Sequence, residues 1–201
     1  MLWEKLIFAN ETIINMKFIA KLILKIWGWK IYGCIPPNVN KCVILVAPHT
    51  SNYDFFIGRL AYFSLGIKAH FLIKKEAFIF PVSGLLKSTG GIPVDRGKRN
   101  NMVDEIAGLF KNRKSLYVVI TPEGTRKLVR KWKKGFYLIA EKANVPIALG
   151  YIDYAKKEGG VGPLIIPKGD YNKDLIEIEN FYKTITPRHP EKFNLSSEKT
   201  R

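Results

Sequence analysis

The sequence predicts an α/β fold, a mostly parallel or mixed central sheet flanked by helices and preceded by an amphipathic helical segment. Three observations carry that expectation. Short apolar runs alternate with helix-length patterns from Cys42 onward, the mark of strand–helix–strand units. Cys42-Val43-Ile44-Leu45-Val46-Ala47 and Leu116-Tyr117-Val118-Val119-Ile120 are apolar at nearly every position, as strands buried on both faces require. Between Met16 and Gly33, lysines recur at every fourth position among large apolar residues. A chain of 201 residues suffices for one such domain with a full core. The expected division is an N-terminal helical segment over 1–33 and a single α/β domain over 34–201.

Taken in order, Lys17, Lys21 and Lys25 drift only about 40° per step around a helix, so they form one stripe. Phe18, Ile19, Leu22, Ile23, Ile26, Trp27 and Trp29 fill most of the remaining circumference, an arc wider than docking on one small domain needs. Residues 16–33 are therefore expected on a membrane surface, lysines toward headgroups and tryptophans at the boundary. Packing of the same helix on the sheet is the competing reading. The three lysines leave no run of about 20 clean apolar residues, so a spanning helix is not expected. No small-residue cleavage site follows the apolar core. Met16 is an alternative start to Met1.

Cys34-Ile35-Pro36-Pro37 closes this segment. A strand is expected over 42–47, a helix over 54–65, a short strand over 70–73 and a helix over 76–87 that exits at Thr89-Gly90-Gly91. Ile92-Pro93-Val94 reads as an edge strand or strand start, since its proline has no amide proton to give. A helix capped by Asn101 runs to Lys111, followed by a central strand over 115–120, a helix over 132–143 and a strand over 146–152. Gly159-Gly160 and Gly162-Pro163 mark turns around a hairpin ending at Ile166, and a last helix spans 173–183. Residues 187–201 are polar and expected to fray.

The net charge of +16 and pI near 9.8 call for a polyanionic partner: nucleic acid, an anionic membrane surface or phosphorylated substrates. Between Arg96 and Lys134, twelve lysines and arginines face only Asp104, Glu105 and Glu123. Cys34 and Cys42 are the only cysteines and no histidine stands at ligand spacing from them, so neither a structural zinc nor a disulfide framework is expected. A reducing, cytoplasmic setting is the default.

Three polar loops follow strands, where reactive groups of open α/β sheets gather. Pro48-His49-Thr50-Ser51-Asn52-Tyr53-Asp54 sets a histidine five residues ahead of an aspartate. A carboxylate holding one ring nitrogen leaves the other free to take a proton, and a substrate hydroxyl can supply that proton. A polar loop histidine bonded to a neighbouring acid is the plainer alternative. Gly90 to Arg96 places an arginine past a glycine turn, able to fork onto a phosphate or simply to pair with Asp95. Thr121-Pro122-Glu123-Gly124-Thr125-Arg126 brings a carboxylate, a close-approach glycine and a second cation, or is an ordinary Pro/Gly turn. Phosphate-binding glycine loops and a Gly-x-Ser-x-Gly elbow are absent from the sequence, which disfavours nucleotide binding by those routes and a covalent acyl-serine.

Together these blocks resemble the bacterial 1-acyl-glycerol-3-phosphate acyltransferase family, also called lysophospholipid or glycerolipid acyltransferases. His49 to Asp54 is similar to that family's first block, Gly90 to Arg96 to its second, Thr121 to Arg126 to its third and Val145-Pro146-Ile147 to its fourth. Thr121, where the family often carries phenylalanine, departs from the pattern without replacing a reactive group. The resemblance implies His49 as general base and Asp54 as its orienting carboxylate. It implies acceptor contacts from Ser51, Asn52, Arg96, Glu123, Gly124, Thr125 and Arg126, with Val145, Pro146 and Ile147 on the acyl-donor side. It further implies acyl-CoA or acyl carrier protein as co-substrate with no cofactor or metal, a lysophospholipid acceptor, and attachment at the cytoplasmic face of the inner membrane. Another lipid acceptor such as a lyso-ornithine lipid, and a non-catalytic lipid- or nucleic-acid-binding role, are the alternatives. Nucleic acid is not expected, because the aromatics sit in apolar runs instead of alternating with basic residues.

Overall fold

The computed structural model describes residues 15–95 and 99–196, with 99–101 described by backbone only. In chain order the elements are α1 (15–26), β1 (Lys30–Tyr32), β2 (Lys41–Val46), α2 (Tyr53–Leu65), β3 (Ala69–Lys74), a 3₁₀ turn (Lys75–Ala77), α3 (Val82–Ser88) and β4 (Gly91–Val94). There follow α4 (Arg99–Lys111), β5 (Leu116–Ile120), α5 (Gly135–Ala143), β6 (Ile147–Asp153), β7 (Glu158–Ile165), α6 (Tyr171–Tyr182) and a second 3₁₀ turn (Pro190–Lys192). Among the described residues they build one seven-stranded sheet in the order β1-β7-β6-β2-β5-β3-β4. Every pair is parallel except β6–β7. The mixed α/β architecture is thus the one the alternation predicts.

The sheet's register sets what can meet what. Carboxyl ends of β2, β3, β5 and β6 open on one rim. Because β1 runs against β2, its first residue Lys30, and with it the end of α1, lies at that same rim.

Alternate residues of β2 serve different cores. Val43 and Leu45 pack with α4, α5 and α6 through Ile106, Phe136, Ile139 and Ile178, while Cys42 and Ile44 face Tyr62 of α2. All four β2 residues are fully buried, which explains why this strand shows no polar alternation. Tyr182, also fully buried, directs its hydroxyl to the carbonyls of Leu45 (2.6 Å) and Gly150 (3.1 Å), tying β2 to β6 just below the rim. Burying each large side chain of this core contributes about 1.5–3 kcal/mol.

Several expectations change. The helix expected through Gly33 ends at residue 26, where Gly28 turns left-handed (φ 77°), and Trp29 folds into a small core with Leu24, Ile57 and Ile152. Trp29 is therefore a packing residue and not a boundary tryptophan, and residues 30–32 form a strand. Gly159 to Pro163 are strand, not turn: a Cβ on Gly160 would meet the Tyr32 carbonyl oxygen at 1.9 Å, so glycine there lets β1 pair with β7. The helix expected over 76–87 splits around Phe80-Pro81, because proline disfavours helical backbone before it and donates no amide. α4 starts at Arg99, which puts Asn101 inside the helix instead of at its cap. α5 starts at Gly135, leaving Trp132 in a loop but buried, its indole N–H on the Asn194 carbonyl. Residues 187–196 are not frayed: Leu195 is buried and the Ser196 amide donates to Glu179. Residues 197–201 lie outside the described residues, as do 1–14.

Candidate active site

Beyond Val46 the chain crosses the rim through Ala47-Pro48 to His49, and α2 begins at Tyr53. That short return puts Asp54 in the first turn of α2, where the free amides of the helix start favour an anion. The amides of Thr50 and Ser51 each donate to Asp54 Oδ2 at 2.8 Å, and His49 Nδ1 lies 3.2 Å from the same oxygen. Tyr154, in the turn after β6, donates its hydroxyl to Oδ1 at 2.7 Å. Both oxygens of the carboxylate are held.

Asp54's side chain is 3% exposed and that of His49 19%, so the acid is sealed in while the ring reaches solvent. Burial alone raises the Asp54 carboxyl, but the hydrogen bonds from His49, Tyr154 and the Ser51 amide outweigh it and hold it below the ordinary aspartate value. It stays an anion near neutrality. An acceptor-only carboxylate assigns the shared proton to His49 Nδ1, which leaves the Nε2 lone pair free. Burial and the bond to Asp54 push the Tyr154 hydroxyl well above its ordinary value, so it remains a donor.

The loop after β5 meets this constellation from the neighbouring strand. Glu123 is buried and its Oε1 accepts the backbone N–H of His49 at 3.0 Å, fixing the two loops to each other. Its Oε2 is buried with no hydrogen-bond partner among the described residues. Burial, opposed by the amide bonds of Glu123 and His49, raises the Glu123 carboxyl to about 7. Gly124 adopts φ 64°, with Lys133 Nζ 2.6 Å from where a Cβ would stand. Thr125 Oγ1 accepts the Lys127 amide, and Arg126 is exposed in the same loop.

Of the remaining expected residues, Ser51 is buried with its Oγ accepting the Tyr53 amide, and Asn52 is exposed just before α2. Arg96 lies outside the described residues. Val145, Pro146 and Ile147 do not reach the site: Val145 and Ile147 are core residues at the amino end of β6, where Pro146 accepts the Val43 amide, whereas His49 follows the carboxyl end of the parallel β2. Two residues that the sequence did not single out do reach it. Tyr154 holds Asp54, and the Arg188 guanidinium stacks 3.9 Å from the Tyr53 ring centre and 5.9 Å from that of Tyr154. The amide of the next residue, His189, donates to Thr50 Oγ1. Beside α2, an apolar groove of about 450 Å³ runs between Ile23, Ile26 and Trp27 of the N-terminal segment and Phe55, Phe56 and Leu60.

The sequence pattern of the Acyltransferase family matches residues 30–149, from β1 into β6 and through both loops just described. The chain belongs to the acyltransferase family. Over 142 residues it is 30% identical to a chloroplastic 1-acyl-sn-glycerol-3-phosphate acyltransferase of Brassica napus, a stretch that takes in 65% of this chain and 40% of that protein. The chain thus spans well under half the length of that curated relative. Its fold is similar to the crystal structure of the 1-acyl-sn-glycerophosphate (LPA) acyltransferase PlsC from Thermotoga maritima, with a TM-score of 0.60 and 19% identity over 85% of this chain and 76% of that one. Tyr154 and Arg188 fall after the stretch that the acyltransferase pattern matches.

Proposed function

We propose that this acyltransferase-family chain moves a fatty acyl group from an acyl thioester to the free hydroxyl of a lysophospholipid of the 1-acyl-glycerol-3-phosphate type. The observation that carries the reading is the His49–Asp54 pair: a solvent-reaching imidazole whose inner nitrogen is bound to a buried, fully satisfied carboxylate. His49 Nε2 takes the hydroxyl proton as the substrate oxygen attacks the thioester carbonyl carbon. The C–O bond forms, the C–S bond breaks, and the proton passes from the imidazolium to the departing thiolate. No acyl-enzyme is needed, because the acceptor brings its own nucleophile. General-base assistance of this kind contributes on the order of 10²–10⁴-fold.

Glu123, bound to the His49 amide, and the cations of its loop line the acceptor side, and Arg96 serves the acceptor phosphate. Acyl-CoA or acyl carrier protein is the donor. The groove between α1 and α2 suits a lipid chain, and α1 attaches the protein peripherally to the cytoplasmic face of the membrane. Its Phe18, Leu22, Ile26 and Trp27 are exposed, and no helix among the described residues is long and apolar enough to cross a bilayer.

The test is incubation of the full chain with a panel of lysolipids and acyl thioesters, products read by mass spectrometry. A diacyl product that disappears in His49→Ala supports the reading. No acylated lipid from any pairing, or undiminished product from His49→Ala, removes it.

A further inference from the structure

We propose that residues 78–86, between β3 and β4, form a second lipid-contact surface: an apolar wedge that seats this edge of the rim on an anionic bilayer. None of residues 74–90 is buried. Ile79, Phe80, Val82 and Leu85 are all exposed, Phe80 at 96% of its surface, and Gly84 has open space where a side chain would stand. Large apolar side chains held in water by the turn before α3 and by α3 itself are costly to leave exposed, and such a patch marks a contact.

Charge and position name the occupant. Exposed Lys74 and Lys75 precede the wedge and exposed Lys87 closes it, against the single acid Glu76. Apolar side chains rimmed by lysines match acyl chains beneath anionic headgroups, and lysine stems can follow the apolar surface while their amines stay at the phosphates. β3 runs parallel to β5, with Phe71 opposite Val119, so the chain leaves Lys74 level with the loop that carries Glu123. The wedge therefore rises from the same rim as His49. At the far edge of the sheet, α1 ends on that rim too, with Ile26 and Trp27 exposed beside Lys25. Two lysine-bearing apolar surfaces bracket the site from opposite edges, and a flat anionic surface meets both at once. The inference concerns docking and does not rest on the acyl-transfer chemistry.

The experiment is sedimentation of the full chain with vesicles of equimolar phosphatidylglycerol and phosphatidylcholine. Phe80→Glu and Leu85→Glu should each weaken binding about tenfold. Their thermal midpoints should match the parent, since these side chains are exposed. Ile26→Glu, on α1, reports the other contact separately. In a Cys34→Ser background, an environment-sensitive fluorophore on Phe80→Cys should shift to the blue on adding vesicles, Cys42 being buried. Unchanged binding by Phe80→Glu and Leu85→Glu, with loss confined to Ile26→Glu, overturns the wedge. So does a chain that self-associates without lipid and becomes monomeric on Phe80→Glu, which assigns the patch to a second copy. Acyl transfer is not read, so failure here leaves the catalytic proposal standing, and the reverse also holds.

Discussion

Between Val46 and Tyr53 the chain leaves the sheet, returns within one short loop, and gives every oxygen of Asp54 a donor: the Thr50 and Ser51 amides and the His49 ring on one side, Tyr154 on the other. Its neighbour after β5 runs from Thr121 to Lys134 without regular structure and leaves half of a buried carboxylate, Glu123 Oε2, without a partner among the described residues. A hydrogen bond joins the two loops, the His49 amide donating to Glu123 Oε1. Under the proposed function, the difference separates two jobs. A group that must take a proton in a fixed direction is locked before substrate arrives. A surface that must receive a charged, hydroxylated ligand keeps polar capacity in reserve.

Damage to the locked loop should give the largest effect. Asp54→Ala removes the acceptor of four donors, and acyl transfer should fall on the order of 10²–10³-fold, with a lowered thermal midpoint because the Thr50 and Ser51 amides lose their partner. Steady-state kinetics with a melting curve reads both. Activity within twofold of the parent would erase the contrast.

Glu123 sharpens the other side. Its carboxyl stands at about 7 when folded against 4.5 when exposed. Between those values the folded chain keeps a proton that the unfolded chain has lost, so this group's contribution to stability is full below 4.5 and is lost as pH rises through 7. The swing is on the order of 3 kcal/mol. Glu123→Gln should flatten the parent's fall in unfolding free energy between pH 5 and pH 8, measured by denaturant titration. An equal slope in both proteins would mean the carboxylate is satisfied.

Tyr154→Phe should be milder, since Oδ2 keeps its three donors. A roughly tenfold lower kcat with KM little changed is expected for the loss of one charge-assisted hydrogen bond. A raised KM with intact kcat would instead place Tyr154 on the substrate. Smallest in activity is Val145→Ala. It should lower stability by about 1–2 kcal/mol, as a core truncation does, and leave the KM for the thioester donor alone. A raised donor KM would return the amino end of β6 to the site.

What could be read from sequence follows from how local each signal is. β2 and β5 announce themselves by apolar runs, and His49–Asp54 by a spacing that one helix turn realises. β1 does not: Lys30-Ile31-Tyr32 continues an apolar, basic pattern, and it is strand only because Gly160, far along the chain, lets it approach β7. Trp29 reads as an interfacial side chain until Leu24 and Ile152 close over it. Tyr154 sits 100 residues from the aspartate it holds, with no motif around it, so only folding brings it into view. Val145-Pro146-Ile147 was recognisable as a block, but spacing along a chain does not tell which end of a strand faces the rim.

The central claim is that Asp54 sets the imidazole so that its outward nitrogen is the base. Nitrogen-15 NMR of the His49 ring in the full chain, recorded with the imidazole neutral, tests it most directly. The proton should reside on Nδ1 in the parent and lose that preference in Asp54→Ala. A parent ring protonated on Nε2, or a tautomer indifferent to Asp54, would contradict the account.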